Sequence, residues 1–374
     1  MTDSSGGAPT PPCRACLRRS WLIARLSGHI ELAWSARRGS AGLLALDDHA
    51  LIASLAGDRR DAVRAEYARF DDDAARSRCA ASGVTALCRC DPRCPSQLDD
   101  LPDPPAVLYI RGDLARFEHA MAADRVAMVG ARRATEYGLQ QARGIGRGLA
   151  AAGLTVVSGM ALGVDAAAHV GALDVGGLTL AVLACGPEQP YPTSKRHLHA
   201  RIVATGAVVS ELPPGTPIRR WAFPARNRII AALAQATVVV EAGERSGSLI
   251  TAGQAADLGR EVAAVPGLVT APLATGTNAL IADGAQLVRG AHDVLELLFG
   301  AAAPALLTAG PDERLVGIEP DLRALLGRVG GGCDTVAALA SGGTDVDAVL
   351  AGLAQLELRG LVRRGAGGRY TATA

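Results

Sequence analysis

Aromatic residues are scarce: Phe, Trp and Tyr together make up 3% of the 374 residues. A buried core has to be assembled from Ala, Val, Leu and Ile, and the 49% hydrophobic content supplies enough of them. Lysine is nearly absent, Lys195 being the sole one, so the cations are arginines. The formal net charge is only +1. That excludes a global basic field, and any anion-binding surface has to be a local patch. No run of about 18 apolar residues occurs, so no membrane span is expected. The opening MTDSSGGAPTPP lacks the basic and apolar regions of a secretory signal. A reducing cytoplasm is therefore the expected setting for the eight cysteines, not a disulfide framework.

Two common nucleotide signatures are also missing. No G-x-G-x-x-G follows the first apolar run, and Gly144-Ile145-Gly146 lies inside a helical pattern. Lys195 follows Ser194, whereas a phosphate-binding Gly-Lys-Ser/Thr loop needs the opposite order. Both absences argue against a nicotinamide or ATP enzyme.

Three regions follow from patterning. Residues 1–100 read as a helical domain: segments 17–26 and 42–55 are Leu- and Ala-rich at helical spacing, and the Arg/Asp-rich stretch 58–78 suggests a further polar helix. Residues 101–300 alternate short apolar runs with amphipathic segments. The runs are 125–131, 154–159, 178–185, 207–210, 237–242 and 261–266. Each is nearly continuous in Val, Ala and Leu, as in strands buried on both faces of a parallel sheet. With helices such as 140–152 and 165–175 between them, the expected fold is α/β, a Rossmann-like doubly wound, mainly parallel sheet. An Ala/Pro/Gly-rich linker, 301–312, precedes a third region, 313–374. Its helical segments 315–326, 335–339 and 345–359 and its terminal hairpin have the layout of a winged helix.

Recurrent motifs fall at the ends of the expected strands. In order they are VGARRATEYG from Val129 to Gly138, SGMALGVDAAAH from Ser158 to His169, and Gly186 with Tyr191-Pro192. Ser210-Glu211, FPARNRII from Phe223 to Ile230, and Glu241-Ala242 with SGSLITA from Ser246 to Ala252 come next. Pro266-Gly267 and GTNALI from Gly276 to Ile281 close the series. In order and spacing this chain resembles the DprA/Smf family over most of 125–285. Two positions depart from the family pattern: Lys195 stands where an Asn is common, and the Asp usual after the third motif's Gly is missing from GPEQPYP. The resemblance implies a single-stranded DNA-binding mediator that protects incoming DNA and loads RecA in natural transformation and recombination. It also implies a homodimer, an N-terminal helical module resembling a SAM or helix-hairpin-helix domain, no cofactor and no catalytic set.

The residues themselves fit that chemistry. Ligands of open α/β sheets bind beyond the carboxyl ends of the strands. Gly130 and Gly138 bracket a strand-to-helix turn from which Arg132 and Arg133 project, and Thr135 can cap the helix or bond a phosphate. Ser158, Gly159 and Gly163 offer a second close backbone approach, and Ser246-Gly247-Ser248 a third. Arg226, Asn227 and Arg228 present both arginines to one face if the segment is extended; with Arg132, Lys195, Arg219 and Arg220 they form a candidate basic patch. Trp221 and Phe223 are candidate stacking faces for unpaired bases.

A structural role competes at several of these positions. Arg226 and Arg228 can pair with Glu211 and Glu241, Asp165 can cap a helix, His169 fits a buried hydrogen-bonded site, and Trp221 and Phe223 fit the core. An enzyme on the same fold, of the lysine-decarboxylase-like phosphoribohydrolase type, is the alternative function, with Glu241 or Asp165 beside Arg132; its PGGxGTxxE signature is absent.

For metals, Cys13 and Cys16 form the C-x-x-C half of a zinc site. Cys88, Cys90 and Cys94 are available for the other half, at a spacing irregular for a zinc ribbon. Structural zinc and unligated thiols both remain open.

Overall fold

The computed structural model describes residues 11–37, 42–300, 318–330, 333–341, 345–365 and 368–372. They fall into two compact units, one within 1–307 and one within 308–374.

The first unit opens with five helices: α1 (Arg14–Arg25), α2 (Ser27–Arg37), α3 (Asp48–Leu55), α4 (Arg60–Ala68) and α5 (Asp72–Ala81). The polar stretch 58–78 is thus broken in two, with Asp71 capping α5 through the Ala74 N–H. An antiparallel pair follows, β1 (Thr85–Cys88) and β2 (Val107–Gly112), then α6 (Leu114–Ala122). From there strands and helices alternate: β3 (Arg125–Val129), α7 (Glu136–Ala151), β4 (Thr155–Ser158), α8 (Val164–Asp174), β5 (Thr179–Val182), α9 (Arg196–Thr205) and β6 (Ala207–Ser210). The series continues through α10 (Ala222–Ala232), β7 (Ala236–Val239), α11 (Gly247–Asp257), β8 (Glu261–Ala264), α12 (Thr275–Ala282), β9 (Gln286–Leu287) and α13 (Ala291–Phe299).

All six expected strands form; β6 has the expected bounds, β7 begins one residue earlier, and all but β6 end one to three residues short. The sheet order is β1-β2-β6-β5-β4-β3-β7-β8-β9. From β6 to β9 every pairing is parallel; β2 joins β6 antiparallel. Patterning did not reveal β1, β2 and β9. Strand β9 is two exposed residues, and β1 and β2 lie in stretches that lack the alternation of strand and helix.

Period-two alternation divides the strand side chains between two layers. On β3, Ala127 and Val129 face a layer that includes Phe117 of α6, Ile229 of α10, Leu233 just after it and Ala252 of α11. Val126 and Met128 face α7, α8 and α13, through Ile145, Leu149, Ala168 and Leu295. With so few aromatics, the core is closed by small residues and close helix approaches. The N-terminal helices share a further core with the sheet's loops, in which Leu22, Leu51 and Tyr67 meet Leu212, Trp221 and Ala225.

The second unit holds α14 (Pro320–Gly330), α15 (Val336–Ala340), α16 (Val346–Leu358) and an antiparallel hairpin, β10 (Val362–Arg364) with β11 (Tyr370–Ala372). Leu322, Leu325, Leu353, Leu356 and Tyr370 form its own core. The expected linker 301–312 lies outside the described residues.

Candidate nucleic-acid interface

Chain order makes the sheet grow from β3 toward β6 on one side and from β7 toward β9 on the other. The loops after β3 and β7 therefore part in opposite directions and leave a crevice beyond their carboxyl ends, as at the switch point of any doubly wound sheet. A cleft of about 310 Å³ lies there. Its walls include Gly130 and Arg132 after β3, Asp165 at the start of α8, Phe223, Arg226 and Asn227 of α10, and Ser246, Gly247 and Ser248 at the start of α11. A smaller recess, about 70 Å³, adjoins it and shares Arg132, Phe223 and Arg226, adding Gly159 and Tyr191. Four of the recurrent motifs, those beginning at Val129, Ser158, Phe223 and Ser246, together with Tyr191-Pro192, thus converge on one place.

Three glycine-led helix N-termini were candidates for phosphate. In the structure the one at α7 already holds a carboxylate of this chain, and the loop leading into α8 holds another. At α7, Glu241 accepts from the Thr135 N–H at 2.8 Å and from the Thr135 hydroxyl at 2.5 Å, while the Thr135 hydroxyl oxygen accepts from the Gly138 N–H at 3.1 Å. Thr135 caps the helix, and both of its donors, the N–H and the hydroxyl, are committed to Glu241, which leaves none for a phosphate. Gly138 is required because a Cβ there would lie 2.2 Å from Glu241 Oε2. The turn from Gly130 to Gly138 binds an anion as its composition suggests, but the anion is Glu241.

At α8, Asp165 Oδ2 accepts from Gly159 N at 3.1 Å and Ala161 N at 3.3 Å. Asp165 therefore ties down the preceding loop; the N-cap position belongs to Gly163. Gly163 has φ +79, and a Cβ on it would come within 2.2 Å of Ala131 O, so only glycine fits. The Ser158 hydroxyl donates to Met128 O and is buried. Burial raises the Asp165 carboxyl, with Arg226 and the backbone donors pulling the other way. The third N-terminus, at α11, differs. Ser246 accepts from Ser248 N at 3.4 Å and shares a hydrogen bond with the Ser248 hydroxyl at 2.7 Å, while Gly247 is exposed. Among the described residues no carboxylate sits on it, and it opens into the cleft.

The arginine patch needs correction. Residues 222–232 form a helix, so Arg226 and Arg228 do not share a face. Arg226 is buried, and its Nη1 donates to Gly159 O at 2.7 Å and Val182 O at 2.6 Å. Burial lowers its pKa, an effect Asp165 opposes. A Cβ on Gly159 would lie 1.7 Å from that Nη1, which explains the glycine. Arg228 points away into a buried network. It meets Glu211 at 2.8 and 3.0 Å and Asp103 at 2.9 Å, and it donates to the carbonyl oxygens of Asp103 and Ala225. Burial acts against its charge, yet Glu211 and Asp103 outweigh it and the pKa rises. Arg226 is thus a wall and brace of the cleft, and Arg228 is a structural ion pair outside it. Asn227 donates to Gly247 O at 3.3 Å and links α10 to the open end of α11.

The remaining candidates separate clearly. Arg132 is exposed, and its guanidinium lies 5.1 Å from the centroid of the Phe223 ring. Phe223 in turn packs 5.6 Å from Tyr191. Arg133 and Arg220 are exposed, but neither lines the cleft. Lys195 closes a short 3₁₀ turn beyond Tyr191-Pro192, outside the lining. Trp221 is wholly buried and belongs to the core with α1–α4, so it is no stacking face. His169 is buried with Nδ1 2.6 Å from the Thr179 hydroxyl, which itself donates to Val156 O at 2.8 Å. Sequence reasoning missed Trp34, which reaches the cleft from α2. No local pattern marks it, because its place depends on how the N-terminal helices dock.

Comparison with known proteins points to one family. The profile of the family described as DNA recombination-mediator protein A matches residues 85–299, which span the whole sheet from β1 to α13. Protein Smf of Synechocystis is 33% identical, covering 93% of this chain and 94% of that protein. The putative DNA processing protein DprA of Mycobacterium tuberculosis is 47% identical over 194 residues, 52% of this chain and 49% of that one. Among solved structures, DprA from Streptococcus pneumoniae superposes with a TM-score of 0.61 at 33% identity, covering 76% of this chain and 97% of that one. DprA from Helicobacter pylori, described for its single-stranded DNA binding mode, gives 0.52 at 30% identity, with 57% and 95% covered. The chain belongs to the DNA recombination-mediator protein A family, the DprA/Smf family.

Proposed function

We propose that this chain binds single-stranded DNA in the switch-point cleft, protects it and passes it to RecA during natural transformation and recombination, as a homodimer and without catalysing a reaction. One observation carries the reading: the open N-terminus of α11 faces a cleft that also holds the exposed Arg132 against Phe223. A helix N-terminus and an arginine are suited to one phosphate each. The Phe223–Tyr191 pair beside them offers the apolar edge against which an unpaired base stacks. Of the original candidates, Arg132, Asn227, Ser246, Gly247 and Ser248 remain as contacts, with Arg133 and Lys195 flanking the cleft. Gly130, Thr135, Gly138, Ser158, Gly159, Gly163 and Arg226 serve as the frame. The C-terminal unit acts as a winged helix, and the helices before β1 take the place of the family's N-terminal module. A phosphoribohydrolase would need Glu241 or Asp165 free to work on substrate, and both carboxylates are held by backbone donors.

Anisotropy titrations of single-stranded and duplex oligonucleotides across salt test this. Single strands should bind more tightly. Arg132→Ala should weaken binding and flatten the slope of log affinity against log salt by about 0.7, the value for one lost single-strand phosphate contact, and adding Arg133→Ala should change the slope little further. Unchanged affinity in the folded double variant would overturn the assignment.

A further inference from the structure

Two cysteine pairs far apart in sequence meet at one point, and the proposed DNA cleft makes no use of them. Cys13 is the N-cap residue of α1, and Cys16 stands three residues on in its first turn. Cys88 ends strand β1, and Cys90 lies in the tight turn that follows, where Asp91 N donates to Cys88 O at 2.8 Å. All four Sγ atoms lie within 4.8 Å of one another, with Cys16 and Cys90 at 3.9 Å. None of the four is in a disulfide.

We propose that Cys13, Cys16, Cys88 and Cys90 bind one structural zinc ion that fastens the N-terminus of α1 to the end of the edge strand β1. Four thiolates at about 2.3 Å from a tetrahedral ion stand about 3.8 Å apart, close to the spacing found. A two-iron cluster would need its cysteine pairs further apart than 4.8 Å. Zinc thiolate chemistry also fits the placement. The sulfur at the N-cap sits on the positive end of a helix, where the charged form is favoured. One ligand is buried, two are half-buried and one is exposed, so the ion would have a path in but little water around it. Cys94, which sequence spacing allowed as a ligand, packs instead against the core beneath β2 and α6. The ion would close a loop of more than seventy residues containing α1–α5, and beneath it Leu17, Phe70, Val84 and Tyr109 form a small apolar cluster with Cys88.

The test uses the full chain, expressed with zinc and purified under reductant, with metal content measured after dialysis. One zinc per chain is expected, and cobalt exchange should give the intense visible bands and thiolate charge-transfer absorption of a tetrahedral all-sulfur site. Cys90→Ser, at the exposed ligand, should lose the metal and lower the melting temperature, whereas Cys94→Ser and Cys333→Ser should keep the metal. Zinc content in the wild-type chain no higher than in a Cys13→Ser/Cys16→Ser chain overturns the proposal, as does iron in place of zinc. If the cysteine variants do not fold, the wild-type cobalt spectrum decides: octahedral bands would overturn the site.

Discussion

Arg226 and Arg228 leave α10 about 200° apart, and that angle assigns them different work. Removing Arg228 would strand Glu211 and Asp103 in a buried site without a cation. Arg228→Ala should cost about 3–5 kcal/mol in urea unfolding, the usual result of breaking a buried pair from one side. Any loss of DNA binding in that variant should track unfolding and leave the salt slope of the folded fraction unchanged. His169 makes a separate prediction. Burial, with a smaller contribution from Arg226, lowers its pKa from 6.5 to about 3. Between those values the unfolded chain binds a proton that the folded chain refuses. The stability His169 contributes is therefore complete above about pH 6.5 and is lost as pH falls toward 3. Urea unfolding of wild type and His169→Gln from neutral to mildly acidic pH should show the wild type losing up to about 1.4 kcal/mol per pH unit more steeply than the variant. Parallel pH profiles would contradict the buried neutral imidazole.

At the scale of elements, the pairing of α7 with α8 shows how a core poor in aromatics is closed. A Cβ on Gly171 would lie 2.1 Å from Arg143 O, and one on Gly146 2.5 Å from Ala168 O, so the two helices approach backbone to backbone. Gly144, on the same helix, faces open space. Gly171→Ala should destabilise by about 1–3 kcal/mol through overpacking. Gly144→Ala should instead stabilise by about 0.5–1 kcal/mol, since a mid-helix glycine loses more conformational freedom than alanine. Thermal melts of the two variants check the opposite signs. The helix N-termini carry a second lesson. The local sequence identified each as an anion site; at α7 the anion proved to be the internal carboxylate Glu241, while the loop before α8 is held by Asp165. Each such carboxylate fixes a loop of the cleft, and α11 is left to receive an external one.

At the scale of the whole molecule, the family profile begins at residue 85, while the core containing Trp221 continues into α1–α4. A chain starting at Thr85 should expose Trp221, Leu212 and Ala225. It should bind a hydrophobic dye and melt well below the full protein, and an unchanged melting temperature would show the N-terminal helices to be dispensable. A chain ending at Gly300 removes the residues of the second compact unit, whose core is its own. That truncation should leave the unfolding midpoint of the first unit within a few degrees.

The alternation of apolar runs with amphipathic stretches was enough to define six buried parallel strands, because a strand covered on both faces is apolar at nearly every position. The order of the glycine and arginine motifs was likewise enough to indicate the family and the end of the sheet at which they gather. Local sequence did not decide which side chains meet there. Whether an arginine is a ligand or a brace depends on the acid it meets, and Arg228 meets Asp103 from 125 positions away. Trp34 reaches the cleft, and Cys16 meets Cys90 across 74 positions, only because the N-terminal helices dock on the sheet. Periodicity reports how a segment is buried, whereas packing of distant segments decides what it is buried against, and so fixes the site.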